Sequence, residues 1–309
     1  MLSQTIKSCT KNAVDILKKN PNIHNPNLEA EMLLSFILKK DRPYLFAHHD
    51  NVIAGNAIKK FWKLINKRLS NWPIAYLTNE KYFYGHKFFV NEKVLTPRPE
   101  TETLVDCVID DYKKNRRDRN IFVDIGTGSG CIVISLVKEI SKLKNAKNIN
   151  NFFASDISLS VLTIARKNSR LLGVNKVIAF KHSDLLNAYL RDKKFISSLC
   201  DSRIFISANL PYLTAKQIKS SPSIQKEPYT ALYAPENGLY YYRKLLSEIK
   251  KIIEEKPADI FLYLEIDEVQ NEKIVELLHR LIPNFAVKIV RDMSGYDRIA
   301  VAWFPGEKN

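Results

Sequence analysis

The sequence predicts an α/β protein in which a mostly parallel sheet, with helices on both faces, follows a small helical bundle and a β-hairpin. From residue 120 onward, apolar strands alternate with helical segments, and such alternation produces βαβ units. Residues 1–75 instead carry apolar side chains at helical spacing. Between these regions, the aromatic and β-branched stretch 81–95 is typical of a hairpin, with Gly85-His86 as the candidate turn.

Three helices are expected in the first 75 residues. The first ends before Asn20-Pro21, because proline breaks the helical pattern. The second begins near Asn27, a candidate N-cap, and stops at Asp41-Arg42-Pro43. The third covers residues 56–69 and directs its apolar side chains to one face.

Seven strands are expected after residue 119. They are the segments IFVDIG, FFASDI, VIAFKHSD, IFISANLPY, DIFLYLEID, VKIVRD and DRIAVAWF. The last two are separated by the short connection from Met293 to Asp297, which leaves no room for a helical crossover. The final pair of strands should therefore be antiparallel.

Composition limits the class of protein and its partners. Lysine and arginine outnumber aspartate and glutamate by 48 to 33, so the formal net charge is +15. This surplus fits an anionic partner such as RNA or the ribosome, and it fits equally well a lysine-rich composition without such a partner. The four cysteines lack CxxC or metal-ligand spacing, so we expect no metal site and a reducing compartment. No apolar stretch approaches the ~20 residues of a membrane span and no secretory signal is recognisable, which predicts a cytoplasmic protein without membrane contact.

A glycine-rich turn follows the first strand of the α/β region. The segment DIGTGSG, from Asp124 to Gly130, leads from this strand into a helix, and its alternate glycines let the backbone approach a ligand without a Cβ clash. The following helix offers unpaired N–H groups at its start. The GxGxG spacing differs from dinucleotide and triphosphate motifs. The carboxylate of Asp124 beside the loop suits a ligand that carries a cation.

Acidic residues end three successive strands. Asp124, Asp156 and Asp184 should meet at the carboxyl edge of the sheet, where open α/β sheets bind ligands. Asp156 is placed to accept hydrogen bonds from ribose hydroxyls, and Ser183-Asp184 lies where a base is expected. A single acidic residue at the end of a strand could simply cap the helix that follows. Three acids beside a glycine loop favour a site for an adenosine with a positive centre, which indicates S-adenosylmethionine.

The fourth strand ends in the tetrapeptide NLPY, from Asn209 to Tyr212. The Asn209 side chain and the carbonyl of Leu210 can share hydrogen bonds with one planar NH₂ group, while Pro211 keeps the backbone rigid. Tyr212 can pack against a planar substrate. An amide nitrogen is a weak nucleophile, so alignment and electrostatics would supply the catalysis.

These motifs resemble those of the HemK/PrmC family, the peptide chain release factor N5-glutamine methyltransferases. The similarity covers nearly the whole chain and includes Pro73 to Asp106 with its TPRPETE run, the glycine loop, ASDIS, NLPY and EPYTALYAPENGL. It implies a class I, Rossmann-like S-adenosylmethionine-dependent methyltransferase with a seven-stranded sheet. It also implies transfer of a methyl group to the glutamine of the release factor GGQ motif, with S-adenosylhomocysteine as product.

The resemblance and the strand-end acids together give a set of expected site residues. Catalysis is assigned to Asn209, Pro211 and Tyr212, and substrate binding to these residues and Leu210. Arg98, Glu100 and Glu102 are expected to close over the cofactor. The residues expected to bind the cofactor are Asp124, Gly126, Thr127, Gly128, Ser129, Gly130, Asp156, Asp184, Leu185 and Asn209.

The sequence departs from the family pattern at two positions. Leu210 replaces the first proline of NPPY, and its carbonyl can still serve the substrate. Leu185 replaces a frequent aromatic residue, so apolar packing is expected there in place of stacking on adenine.

The resemblance further implies three parts: a helical substrate-recognition domain over 1–75, a hairpin linker over 76–98 and a methyltransferase domain over 99–309. Three alternatives stay open. The substrate glutamine could belong to a ribosomal protein, since YLTNE and Gly85-His86 also resemble that sister enzyme. NLPY also resembles the motif of N6-adenine RNA methyltransferases, although those enzymes carry their extra domain after the core. A scaffold without activity would need a broken site, and the sequence retains the expected polar groups.

Overall fold

The computed structural model describes residues 4–143, 149–199, 202–255, 259–282 and 284–305. These ranges form two compact units. The first contains residues up to Glu80 together with 219–226, and the second contains 81–218 and the residues from Glu227 onward. The predicted three-part division at 75/76 and 98/99 stays a prediction. Of the cysteines, Cys200 lies outside the described residues.

The first unit is built from amphipathic helices around an apolar core. Its fully buried side chains include Leu17, Leu33, Leu34, Phe61 and Ile65, which recur at helical spacing as the sequence predicts. The helices are α1 (Ile6–Leu17), α2 (Pro26–Leu38), α3 (Arg42–Ala47), α4 (Gly55–Leu69) and α5 (Ile74–Thr78).

Two details of this unit correct the sequence prediction. Helix α2 is capped by Asn25, whose side chain accepts from the amide of Leu28, and it begins at Pro26 instead of near Asn27. Proline is well suited to the first helical position, because its missing N–H would have had no partner there. Asp41 caps α3 by accepting from the amide of Tyr44. The segment Asp41-Arg42-Pro43, which was predicted only to end the second helix, therefore also begins the next one.

The hairpin and the α/β region follow the predicted order. The strands are β1 (Glu80–Phe83), β2 (His86–Phe89), β3 (Arg119–Ile125), β4 (Ile149–Asp156), β5 (Ile178–His182), β6 (Arg203–Ala208), β7 (Asp259–Glu265), β8 (Ala286–Arg291) and β9 (Asp297–Phe304). The remaining helices are α6 (Glu102–Asn115), α7 (Cys131–Ile140), α8 (Leu159–Leu171), α9 (Asn187–Leu190), α10 (Lys193–Ser198), α11 (Ala215–Ser220), α12 (Tyr240–Glu255) and α13 (Asn271–Leu281).

Strands β3 to β9 form one seven-stranded sheet in the order β5-β4-β3-β6-β7-β9-β8. The neighbours up to β7 are parallel, whereas β9 is antiparallel to both β7 and β8. This confirms the predicted α/β class and the antiparallel final pair. The strand order reverses between β3 and β6, and the crevice outside the carboxyl ends of such strands is where open α/β sheets bind ligands. Among the described helices, none is both long and apolar enough to cross a membrane.

A row of five stacked aromatic rings crosses one face of the sheet. In order they are Phe152, Phe122, Phe205, Phe261 and Trp303, each on a different strand and paired in register with the next. Neighbouring ring centroids lie 4.8, 4.9, 5.4 and 5.7 Å apart. Cross-strand aromatic pairs stabilise a sheet in one register, so this row fixes which strand ends lie side by side.

A buried asparagine on α8 joins the hairpin to the glycine loop. Asn168 has no exposed surface. Its Nδ2 donates to the carbonyl oxygens of Phe89, at 3.0 Å, and Ser129, at 2.8 Å. Its Oδ1 accepts from the amide of Phe89 at 2.8 Å. One side chain therefore satisfies backbone groups of both β2 and the loop that precedes α7.

Gly238 occupies a position that leaves no space for a side chain. Its φ is +87°, and a Cβ there would overlap the carbonyl oxygen of Tyr212 and Nε2 of Gln270. Gln270 Nε2 donates to that carbonyl and to the carbonyl of Asn237, both at 3.2 Å. Gly238 thus lets the chain after β6 be held by a hydrogen bond from Gln270.

We expect Asn168→Ala to lower the free energy of unfolding by about 2–4 kcal/mol, because three buried hydrogen bonds are lost and their backbone partners stay buried. Urea unfolding of the purified protein measures this change. Arg170→Ala, an exposed position on the same helix, is the matched control and should change stability by less than about 0.5 kcal/mol. Equal effects of the two substitutions would contradict the anchoring role of Asn168.

Gly238→Ala and Gly295→Ala form a matched pair, since both glycines have positive φ, +87° and +86°, but only the first is crowded. Gly295→Ala should cost about 1–2 kcal/mol from backbone strain alone. Gly238→Ala should cost more than about 4 kcal/mol, because Tyr212 and Gln270 must also move. Calorimetric Tm values compare the two variants, and a Gly238→Ala protein as stable as Gly295→Ala would refute the crowding.

Candidate active site

A cavity of about 260 Å³ opens at the carboxyl edge of the sheet. Its wall is formed by the loops that follow four neighbouring parallel strands and by the segment that precedes α6. The lining includes most of the predicted site, namely Gly126, Thr127, Gly128, Ser129, Asp156, Asp184, Leu185, Asn209, Leu210 and Pro211. Gly130, Asp124 and Tyr212 lie beside this group in the chain, and their positions are described below.

The glycine loop presents bare backbone to the cavity. Gly126, Gly128 and Gly130 have φ values of +68°, +56° and +82°, a conformation that strongly favours glycine. A Cβ on Gly128 would meet only the carbonyl oxygen of Gly126, at 3.9 Å, so the space beside it is open to a ligand. Gly130 precedes α7 and packs against Ile134 and Ala165, which sets the direction of that helix.

Asp124 lies beneath the loop and does not reach the cavity wall. Its Oδ2 accepts from Thr127 Oγ1 at 2.7 Å and its Oδ1 accepts from Ser207 Oγ at 3.0 Å. Burial raises the pKa of Asp124 to about 6, and the two hydroxyl donors oppose the rise. Both carboxylate oxygens are engaged in holding the loop and β6 together, and the expected contact with a cationic ligand stays a prediction.

Asp156 and Asp184 both face the cavity, but they differ in their partners. Asp156 accepts from the amides of Gly128, at 3.1 Å, and Ser158, at 2.9 Å. Burial raises the pKa of Asp156, and these two amides oppose the rise. Asp184 forms an ion pair with Lys244 of α12. Leu185 beside it has a φ of +50°, unusual for a bulky residue, and its buried side chain gives the wall an apolar surface.

The NLPY segment begins where β6 ends, next to the glycine loop. Asn209 Nδ2 donates to Thr101 Oγ1 at 3.2 Å, so the Asn209 carboxamide is held at the cavity wall. Leu210 is buried, and a Cβ on Gly126 would lie only 3.1 Å from its Cδ2. The leucine side chain thus packs on the loop in the place where the family has proline.

Tyr212 is not among the described residues that line the cavity. Its hydroxyl donates to Glu265 Oε1 at 3.4 Å, and burial followed by the charge of Glu265 raises its pKa far above the usual value. Packing of Tyr212 against a substrate stays a prediction. The partly buried Tyr212 side chain packs against the hydrophobic core of the sheet.

Arg98 lines the cavity and is fixed by a buried carboxylate. Its Nη2 contacts Glu227 Oε1 at 2.5 Å, and Glu227 Oε2 accepts from the amide of Thr96 at 3.1 Å. Glu102 differs from expectation, because its carboxylate accepts from the amide of Tyr84 in the hairpin turn at 2.7 Å. Glu102 therefore fastens the hairpin instead of closing over the cavity.

Four polar residues that support the site escaped the sequence analysis: Thr101, Asn168, Glu227 and Glu265. Glu265 ends β7, and the same strand-end rule that selects Asp156 and Asp184 would have found it. Asn168 stands between Lys167 and Ser169 in a polar part of its helix, so no local signal identifies it. Thr101 and Glu227 lie within recognised motifs, yet their partners are distant in sequence and nothing local identifies them.

Comparisons with known proteins agree with this geometry. The sequence model of the PrmC N-terminal domain matches residues 9–78. The release factor glutamine methyltransferase of Leptospira interrogans is 34% identical over 301 residues, which cover 96% of this chain and 97% of that protein. The Bacillus cereus enzyme of the same name is 32% identical over 275 residues, 88% of this chain and 90% of that enzyme.

A solved structure of the hMettl16 catalytic domain shares the fold. It superposes with a TM-score of 0.52 at 15% sequence identity and covers 87% of this chain and 91% of its own. Such identity supports the fold alone, whereas the relatives above match this chain over nearly their full length. By its sequence and its fold, the chain belongs to the release factor glutamine methyltransferase family.

Proposed function

We propose that this protein methylates the side-chain nitrogen of the glutamine in the GGQ motif of peptide chain release factors, with S-adenosylmethionine as donor. The observation that carries the proposal is that the glycine loop and Asn209 line one cavity, with the backbone carbonyl oxygen of Asn209 3.9 Å from where a Cβ on Gly126 would lie. A cofactor cradle and a carboxamide-binding group are therefore neighbours, as methyl transfer to an amide requires.

The described residues fit the proposed cofactor. Bare backbone at Gly128 leaves room that a Cβ would occupy, and the start of α7 carries no side-chain cap. Asp156 is proposed to accept ribose hydroxyls, Leu185 to pack on the base, and Asp184 to lie beside that base. Thr127 and Ser129 complete the loop. When bound, S-adenosylmethionine supplies an electrophilic methyl group and becomes S-adenosylhomocysteine.

The chain's own residues act on the substrate amide. Asn209 Oδ1 is proposed to accept one hydrogen of the glutamine NH₂, and the Leu210 carbonyl to accept the other. This arrangement directs the nitrogen lone pair into the cavity and lowers the entropic cost of alignment. Pro211 restricts the backbone behind these acceptors. A strong general base is not needed, because the amide proton becomes acidic once the nitrogen is alkylated.

The wider setting of the reaction belongs to the same proposal. The helical region over residues 1–75 is proposed to recognise the release factor, and no metal ion takes part. We place the reaction in the cytoplasm, in proximity to the ribosome, where release factors act in translation termination. Family membership favours the release factor over a ribosomal protein or an RNA adenine as substrate.

Asn209→Ala should lower methylation of release factor by a factor on the order of 10²–10³ or more, because the acceptor that orients the amide is lost. Binding of S-adenosylmethionine should persist within about threefold, since the glycine loop is unchanged. Transfer of labelled methyl groups to purified release factor measures the first effect, and isothermal titration measures the second.

Asn271→Ala is the matched control, because it also removes a carboxamide, one that donates to Asp297 at 2.6 Å and accepts from the amide of Glu272 at 2.7 Å, and that does not line the cavity. It should leave turnover near the wild-type value. Parallel assays with ribosomes and naked rRNA test the alternatives. Normal turnover by Asn209→Ala on release factor, or methylation of ribosomes or rRNA in preference to release factor, would overturn the proposal.

A further inference from the structure

The Asn209 carboxamide can be useful only in one of its two orientations. Rotation by half a turn about its last bond exchanges an acceptor, Oδ1, for a donor, Nδ2. If Oδ1 faces the cavity, it can accept a hydrogen from a substrate NH₂ group. If Nδ2 faces the cavity, it repels the same group. Something in the protein must therefore select between the two orientations.

The neighbour of Asn209 on the protein side is a hydroxyl group, which does not select by itself. Thr101 Oγ1 lies 3.2 Å from Asn209 Nδ2 and is 2% exposed as a residue. A hydroxyl can accept from Nδ2 or donate to Oδ1, because it carries one hydrogen and two lone pairs. The direction of this hydrogen bond depends on where the Thr101 hydrogen points.

A buried carboxyl group lies behind Thr101. Ala208 of β6 pairs in register with Leu264 of β7. The next residue on each side is Asn209 after β6 and Glu265 at the end of β7, so these two residues are neighbours. Glu265 is 1% exposed, and the Thr101 hydroxyl faces its carboxyl group closely enough to affect its pKa. Its Oε1 accepts from Tyr212 at 3.4 Å, whereas Oε2 has no hydrogen-bond partner among the described residues.

We propose that ionised Glu265 is a positioning residue that acts through Thr101 to hold Asn209 with its carbonyl oxygen toward the substrate. A carboxylate can only accept, so it draws the single hydrogen of Thr101 toward itself. The Thr101 oxygen is then left to accept from Asn209 Nδ2, and Oδ1 must face the cavity. This inference rests on the proposed function, because it assigns the orientation of the substrate-binding amide.

Protonation of Glu265 would remove this selection. A neutral carboxyl group can donate to Thr101, which can then donate to Asn209 Oδ1 and reverse the amide. Burial raises the pKa of Glu265 to about 7, and the Thr101 hydroxyl and the charge of Arg298 oppose the rise. Activity should therefore fall as pH decreases through about 7. The charged and titratable groups that face Glu265 are Arg298 on β9, Glu100 before α6, Tyr212 after β6, Tyr242 on α12 and Cys131 at the start of α7.

The experiment compares Glu265→Gln, Thr101→Val and Thr101→Ser in the full chain. Glu265→Gln and Thr101→Val should each lower kcat on release factor by a factor on the order of 10–100, with KM for S-adenosylmethionine unchanged within about threefold. Thr101→Ser keeps the hydroxyl and should rescue most of the loss seen in Thr101→Val. The double variant Glu265→Gln with Thr101→Val should be no worse than the poorer single variant, because both act through one hydrogen-bond chain.

The pH dependence of kcat/KM for S-adenosylmethionine is a second measurement, and it would not change if Glu265 had only a structural role. The wild type should lose activity below pH of about 7, and Glu265→Gln should lack this acid limb. Asp111→Asn is the matched control, because Asp111 is also buried and also accepts from a tyrosine hydroxyl, that of Tyr263, at 3.1 Å. It should retain both the wild-type kcat and the acid limb.

Each result decides for or against the positioning role. Wild-type kcat in Glu265→Gln, an unchanged acid limb in that variant, or multiplied losses in the double variant would overturn it. Failure of the wild type itself to methylate release factor would refute the proposed function instead, so the two failures are distinguishable. Circular dichroism and cofactor titration confirm that each variant is folded, and Thr101→Val provides an independent test should Glu265→Gln not fold.

Discussion

The two halves of the site are held together by one buried carboxylate. Asp124 ends β3 and bonds both to Thr127 in the glycine loop and to Ser207 near the end of β6. Since Asn209 follows Ser207 by two residues, the distance between the loop and the Asn209 carboxamide depends on this bridge. The carboxylate is costly to bury, as its raised pKa indicates, and hydrogen bonds from the Thr127 and Ser207 hydroxyls offset part of this cost.

Further connections extend this central bridge in several directions. Asn168 attaches the hairpin to the loop, Glu227 attaches the segment around Arg98, and Gly238 leaves room for the hydrogen bond from Gln270 that holds Tyr212. In each case a side chain satisfies backbone groups that would otherwise be buried without partners, and such groups are expensive. The cavity is therefore enclosed by loops that are fixed by side-chain hydrogen bonds from residues distant in sequence.

Much of this arrangement follows from local sequence. Alternating strands and helices predict the parallel sheet, the five-residue connection before β9 predicts the antiparallel end, and the rule that ligands bind at strand carboxyl ends predicts where Asp156 and Asn209 meet. The position of Asp124 was not predictable, because the same acid can face a ligand or support a turn. The order of the strands was also not predictable from local sequence. It places Phe122 between Phe152 and Phe205, which are 30 and 83 residues away in sequence.

The replacement of proline by Leu210 changes how the active-site backbone is kept rigid. A proline would restrict its own torsion angle within the ring, whereas the buried Leu210 side chain packs so close to Gly126 that an added Cβ there would lie 3.1 Å from its Cδ2. The rigidity at Leu210 therefore depends on the residue at position 126 and can be lost when that residue changes. Positions 126 and 210 should consequently covary among homologues, with larger side chains at one tolerated only where the other is small or cyclic.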